Sequence, residues 1–383
     1  MKAFNLNIPT RVIFGNGESA QSTGSAVASF GKKVLLTYGK ESIKRNGTYA
    51  KIIDSLKAAG IDEITEFSGI KSNPSLSHLK EGIELARTQQ IDVILAVGGG
   101  SVMDEAKGIA AGVFYDGDVW DFYSGQAAPQ QALPVIAVPT LPATASEMNG
   151  GTVITHDTTK EKFGFMNELL FPKVAIMDPE LTHTVPKDYT AYAGVDAISH
   201  LIEGYFTGDA KWTPIQDRYA EGLVKTVIEA TDRILEKPDD NEARSTMMWA
   251  ATLAWNGLGV AGVGNMGFPN HMIEHPLSGR YDIAHGAGLS IVIPAWMRFA
   301  KSRYPEKLQQ FAREVFGLDS ADAGIDALEQ WFDSIQSPTR LSAANIPAED
   351  IPSIAEDALN LGSVWGITDY THEDVVSILK SAV

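Results

Sequence analysis

The sequence contains no cysteine. Disulfides, iron–sulfur ligation and thiolate zinc sites are thereby excluded. Basic side chains are also in short supply, with 31 Lys and Arg against 48 Asp and Glu, a net charge of −17. Such a surface repels polyanions, so nucleic acid is not an expected partner, although a local phosphate site is not forbidden. No stretch offers the ~18 uninterrupted apolar residues of a membrane helix. The nearest, Ala250–Phe268, is broken by Asn256 and Asn265 and reads as buried helix and turn. Met1–Asn7 has no sustained apolar core behind a basic start, so no export signal is expected and the cytoplasm is the expected compartment. There is no fixed-period repeat and no low-complexity tract.

What is present is an ordinary globular composition, 44% apolar and 21% charged over 383 residues. At roughly 150 residues per domain that length suggests two. Strand candidates are Arg11–Phe14, Val34–Thr37, Ile64–Phe67, Val93–Val97, Val135–Val138 and Val174–Met177, with helix-length segments such as Gly47–Ala59, Leu76–Gln90 and Val102–Val113 between them. This alternation predicts a mostly parallel sheet covered on both faces. Thr152–Phe165 reads instead as two strands around a turn. After Asp178-Pro179 strand signals stop and 3.6-period stretches follow, including Tyr189–Tyr205, Thr213–Leu235, Asn241–Trp255 and His285–Ala300. The expected division is an α/β domain over 1–187 and an all-α domain over 188–383.

Two glycine-rich places resemble nucleotide loops. Gly15-Asn16-Gly17-Glu18-Ser19-Ala20 lacks the acidic residue expected after the next strand, because Thr37 leads into Tyr38-Gly39-Lys40; it reads as a turn. Gly98-Gly99-Gly100-Ser101 follows a fully apolar strand and opens a helix. Glycines there let a ligand approach the backbone closely, and unpaired N–H groups at a helix start attract a phosphate. Ser101 is placed to cap the helix or to bond a phosphate oxygen.

Histidine is sparse, eight in all, yet four fall between positions 200 and 285. Asp196 and His200 lie one helical turn apart on one face, as do His271 and His275, and His285 follows a short break at 278–282. Five candidate ligands result. A carboxylate with several imidazoles suits Fe(II) or Zn(II) with an open position for a substrate oxygen. His271-Met272-Ile273-Glu274-His275 also reads literally as H-x-x-E-H, the inverted zinc-peptidase pattern with Glu274 as general base. That alternative leaves Asp196, His200 and the glycine loop without a role.

Taken together, Gly98–Lys107, Leu141–Glu147, Gly194–His200 and His271–His285, in that order, resemble the iron-containing (group III) alcohol dehydrogenases of the dehydroquinate synthase-like fold. The nearest subgroup looks like the NADPH-dependent butanol dehydrogenases and broad-range aldehyde reductases. The resemblance implies metal ligands Asp196, His200, His271 and His285. It leaves His275 unligated near the substrate or nicotinamide; His275, or water relayed through the ribose hydroxyl, is the candidate proton donor. It implies pyrophosphate contacts at Gly99, Gly100 and Ser101 with Asp104 beside them. Thr140, Thr144, Asn149 and Lys162 would run towards ribose and nicotinamide, with Asn73 near the adenosine. NAD-preferring members carry Asp where Gly39 stands; here Gly39, Lys40 and Ser42, with Lys44 close, imply NADP(H) in preference to NAD(H).

The expected activity is hydride transfer between NADP(H) and a primary alcohol or aldehyde, in a homodimer formed through Leu6–Phe14. A glycerol-type polyol dehydrogenase of the same fold is the nearest alternative. A carbon–oxygen lyase of the dehydroquinate synthase kind is more distant.

Overall fold

Val93–Gly98 is buried at every residue. A strand with no polar alternation belongs inside a parallel sheet with both faces covered, and this one does. In the computed structural model, which describes residues 1–383, the strands are β1 (Arg11–Phe14), β2 (Lys33–Tyr38), β3 (Glu63–Ser68), β4 (Val93–Gly98), β5 (Val135–Pro139), β6 (Gly151–Thr155), β7 (Lys162–Met166) and β8 (Val174–Met177). Six of them form one parallel sheet in the order β1-β8-β5-β4-β2-β3. Helices Thr48–Ala58, Leu76–Thr88 and Gly100–Gly112 make the crossovers that parallel pairing requires. Strands β6 and β7 pair antiparallel as a hairpin, as the sequence predicts.

The winding of the sheet fixes where a ligand can bind. From β2 the chain steps outward to β3, returns past β2 to β4, and continues to β5. The direction reverses between β2 and β4, whose ends meet in register at Tyr38 and Val97. In open α/β sheets the crevice beyond the carboxyl ends at such a reversal is the ligand site.

The chain divides into two compact units, Asn7–Val185 with Asp239–Met248, and Met1–Leu6 with Pro186–Pro238 and Trp249–Val383. The second is all-helical, built on Lys187–Thr207, Pro214–Glu236, Pro269–Tyr281, His285–Ala300, Pro305–Phe316, Ala321–Ser334, Ile351–Trp365 and His372–Lys380. No helix is long and apolar enough to cross a membrane.

Two local expectations are corrected. The helix after β4 starts at Gly100, not Val102, with Gly99 at its cap. The break before His285 lies at 282–284, where Asp282 takes the left-handed conformation that ends the preceding helix.

Candidate metal centre and nucleotide loops

Helix Lys187–Thr207 is buried along most of its length, and it carries Asp196 and His200 on one face. His271 comes from the first turn of Pro269–Tyr281, and His285 is the first residue of His285–Ala300. These helices bring four side chains together. Asp196 Oδ1 lies 3.4 Å from His200 Nδ1, 3.9 Å from His271 Nε2 and 3.8 Å from His285 Nε2. Ligand atoms at about 2.1 Å from a tetrahedral ion stand about 3.4 Å apart, so the spacing suits a divalent metal. Asp196 Oδ1 and His200 Nδ1 are buried with no hydrogen-bond partner. A desolvated carboxylate oxygen without a donor is costly unless a cation meets it. Burial also holds the His200 imidazole below its usual pKa, hence neutral, the form that ligates.

Two further carboxylates hold the imidazoles from behind. Glu203, one turn beyond His200 and fully buried, accepts from His271 Nδ1 at 3.1 Å and from the His271 backbone N–H at 3.1 Å. Burial pushes its carboxyl up to about 8. Glu274 takes His285 Nδ1 on one oxygen and the Ser278 hydroxyl on the other. In both cases the nitrogen facing Asp196 is the other one. Such partners fix the tautomer and ring direction of a metal-binding histidine.

This arrangement removes the peptidase reading. Glu274 orients His285 and is not a spare base. His271 groups with Asp196 and His200, whereas His275 groups with Glu274 and His285. A glycine makes room for it: a Cβ on Gly288 would lie 2.4 Å from Glu274 Oε1. Aromatic rings complete the surroundings. Phe268 lies 4.2 Å from His271, Trp255 stacks on His200 at 5.7 Å, and Trp365 meets His275 edge-on at 5.1 Å between ring centroids.

At the sheet, Gly99, Gly100 and Ser101 form the start of the helix after β4. The loop after β5 packs against them. Thr140 N–H donates to Gly98 O at 2.9 Å, and a Cβ on Gly100 would sit 2.4 Å from Thr144 Oγ1. Ser101 does not cap the helix; its hydroxyl donates to Ser72 O, next to the buried Asn73. Asp104 accepts from Ser146 Oγ at 2.6 Å, and burial lifts its carboxyl above the ordinary range against the pull of Lys107. Asn149 is tied into the same loop, its amide donating to Thr144 O at 3.2 Å. Lys162, buried at the start of β7, acts on Asp104 electrostatically.

Lys107 is a residue whose role the sequence left unread. It is fully buried, its ammonium pulled down to about 8 by desolvation, and it donates to Ser146 Oγ, Asn149 O and Gly151 O at 2.8, 2.9 and 2.8 Å. It thus pins the segment that faces the glycine loop.

Across the reversal, Gly39 follows β2, and Lys40 and Ser42 are exposed beyond it. Lys44 is not a free donor. Its Nζ lies 3.5 Å from Glu66 Oε2 and over the rings of Tyr38 and Tyr49 at 5.2 and 5.0 Å. Glu66 accepts both phenols, Tyr49 at 2.5 Å, and these bonds, Tyr38 first, hold its carboxyl below the usual range.

Comparison with known proteins places these two halves in one family. Residues 9–179 match the iron-containing alcohol dehydrogenase family and residues 190–383 its C-terminal part. The chain is 41% identical over the whole of both chains to the probable NADH-dependent butanol dehydrogenase 1 of Bacillus subtilis (strain 168). It is 38% identical, over 92% of each chain, to the NADPH-dependent aldehyde reductase of Escherichia coli (strain K12). The solved structure of NADH-dependent butanol dehydrogenase A from Thermotoga maritima superposes with a TM-score of 0.96 at 42% identity, covering 100% of this chain and 99% of that one. The chain belongs to the iron-containing alcohol dehydrogenase family, NAD(P)-dependent oxidoreductases acting on alcohols and aldehydes.

Proposed function

We propose that the protein interconverts primary aldehydes and alcohols of the butanal/butanol type, using NADP(H) and one divalent ion, Fe(II) or Zn(II). The observation that carries the reading is the desolvated Asp196 Oδ1 amid three imidazoles. Asp196, His200, His271 and His285 would hold the ion. When bound, the ion supplies Lewis-acid polarisation of a substrate oxygen and the nicotinamide supplies or accepts the hydride. The chain's own residues do the rest. Glu203 and Glu274 keep His271 and His285 in the ligating tautomer. Trp255, Phe268 and Trp365 limit water near the reacting carbon. His275, buried beside His285 and Trp365, is assigned the proton delivered to the product oxygen.

For the cofactor, Gly99, Gly100 and Ser101 are assigned the pyrophosphate with Asp104 behind them. Thr140, Thr144, Asn149 and Lys162 are assigned the ribose and nicotinamide, and Asn73 the adenosine. NADP(H) is favoured because position 39 carries no carboxylate, and Lys40 and Ser42 stand exposed next to it. The names of the butanol dehydrogenases from Bacillus subtilis and Thermotoga maritima favour NAD(H) instead. A homodimer through Leu6–Phe14 fits the open outer edge of β1, which pairs with β8 alone and ends in the exposed Phe14.

The test is butanal reduction by purified protein followed at the reduced-nicotinamide absorbance, with metal analysis alongside. The expected result is faster oxidation of NADPH than of NADH, lost on chelation and restored by Fe(II) or Zn(II). Metal-loaded protein inert towards butanal with both cofactors would refute the reading.

A further inference from the structure

The Lys44 cluster lies on the short helix Ser42–Arg45, directly after the Gly39 turn. A lysine two residues beyond Ser42 invites assignment to a 2′-phosphate. The geometry says otherwise. Its ammonium sits in a three-sided box made by the Tyr38 ring, the Tyr49 ring and the Glu66 carboxylate. Glu66 is held ionised by the two phenols that donate to it, and Tyr38 is fully buried, so the box is anchored in the sheet.

We propose that Glu66 cancels the charge of Lys44, so that the pair leaves the adenosine end of the cofactor pocket without a net field and Lys44 does not hold the phosphate. Selection between NADP(H) and NAD(H) is then left to Lys40 and Ser42. The inference rests on the assignment of Gly39–Ser42 to the ribose 2′ position. Removing the carboxylate leaves one uncompensated positive charge near that position, and removing the ammonium leaves one negative charge. Removing both restores neutrality. Because an uncompensated charge acts over a distance, its effect is screened as the Debye length falls from about 10 Å at 0.1 M salt to about 3 Å at 1 M.

The experiment is a double-mutant cycle read by cofactor binding, which needs neither metal nor turnover. Dissociation constants for NADP⁺ and NAD⁺ are measured separately, by quenching of protein fluorescence, in wild type, Glu66→Gln, Lys44→Met and the double variant. Glu66→Gln is expected to tighten NADP⁺ about 3- to 10-fold at low salt with NAD⁺ nearly unchanged, and Lys44→Met to weaken it by a similar factor. The double variant should return to within about 2-fold of wild type, and every shift should shrink at 1 M salt. A double variant as weak for NADP⁺ as Lys44→Met would overturn the proposal, since it would make Lys44 a phosphate ligand. So would an unchanged ratio in Glu66→Gln. If Glu66→Gln does not fold, Lys44→Met still decides. A salt-sensitive loss of a few fold supports the pair, and a loss of more than about 30-fold that persists at high salt means direct contact. The wild-type ratio alone tests the NADP(H) preference, so the two readings fail separately.

Discussion

Glu274 spans the break between two helices, accepting from Ser278 in its own helix and meeting His285 Nδ1 at the first residue of the next. His285 is the partly exposed member of the four-residue cluster, so its direction depends most on this partner. Glu274→Gln is expected to keep the fold and lower metal affinity about 10- to 100-fold. Competition with a chelator measures it, with the melting temperature as the folding control. Unchanged affinity in a folded variant would remove Glu274 from the site.

His271 faces Asp196 on one side and Glu203 on the other. His271→Ala deletes one ligand and strips the buried Glu203 of its imidazole partner. Metal content and aldehyde reduction should fall together to background. Retention of both at wild-type levels would refute ligation by His271.

These two carboxylates mark the limit of what the sequence discloses. The strands were legible because Val93–Val97 and Val135–Val138 are unbroken apolar runs, and Asp196/His200 because a four-residue spacing has one helical meaning. Glu203 and Glu274 carried a weaker signal. Glutamate is ordinarily a surface residue. Only its place on the Asp196–His200 stripe, seven residues from Asp196 and in an apolar helix, would have marked Glu203 as buried. Lys107 is hidden for the same reason in Gly100–Gly112. Nothing in Met1–Leu6 announces that it belongs with the helical unit, because its contacts are to residues more than two hundred positions away, as in the Met1 amino group on Trp212 O.

Trp365 ends the helix Ile351–Trp365 and stands 5.1 Å from His275 and 6.2 Å from Phe268 between ring centroids. Truncation to Ala opens the aromatic wall without touching the four residues proposed to hold the metal. Metal content should stay at the wild-type level, while the kcat/KM ratio of benzaldehyde to butanal should rise about 10-fold, a change typical of reshaping an apolar pocket. An unchanged ratio would separate this wall from substrate selection.

Gly39 has space for a side chain, since an added Cβ would come no closer than 3.4 Å to Ile70 O. Gly39→Asp should therefore fold normally. Its carboxylate would repel a 2′-phosphate and accept from ribose hydroxyls, shifting preference from NADPH towards NADH by about 10-fold or more. Steady-state rates with each cofactor read the shift. A constant ratio would show that position 39 does not face the ribose.

His78 supplies a pH test that lies in the sheet unit, outside the metal cluster. Its Nδ1 is 2.5 Å from Glu105 Oε1, its Nε2 is 3.2 Å from Ser68 O, and its ring stacks on Phe67 at 4.4 Å. Glu105 is fully buried, and Glu81 adds a second negative charge nearby. The Glu105 hydrogen bond raises the His78 pKa above 6.5, with burial opposing it. A raised folded-state pKa means that the stabilisation is complete below 6.5 and is lost as pH climbs through the folded value. Above that value Glu105 loses its charged partner, and burial, which already lifts its carboxyl, penalises its ionised form. Wild-type melting temperature should therefore fall from pH 6.5 towards pH 9 more steeply than that of Glu105→Gln, in which the neutral amide still meets the imidazole but no longer favours its charge. Melting curves at matched ionic strength check this. Parallel pH profiles for the two proteins would mean that His78 titrates the same way without the carboxylate, and that the helix after the glycine loop owes nothing to this pair's charge.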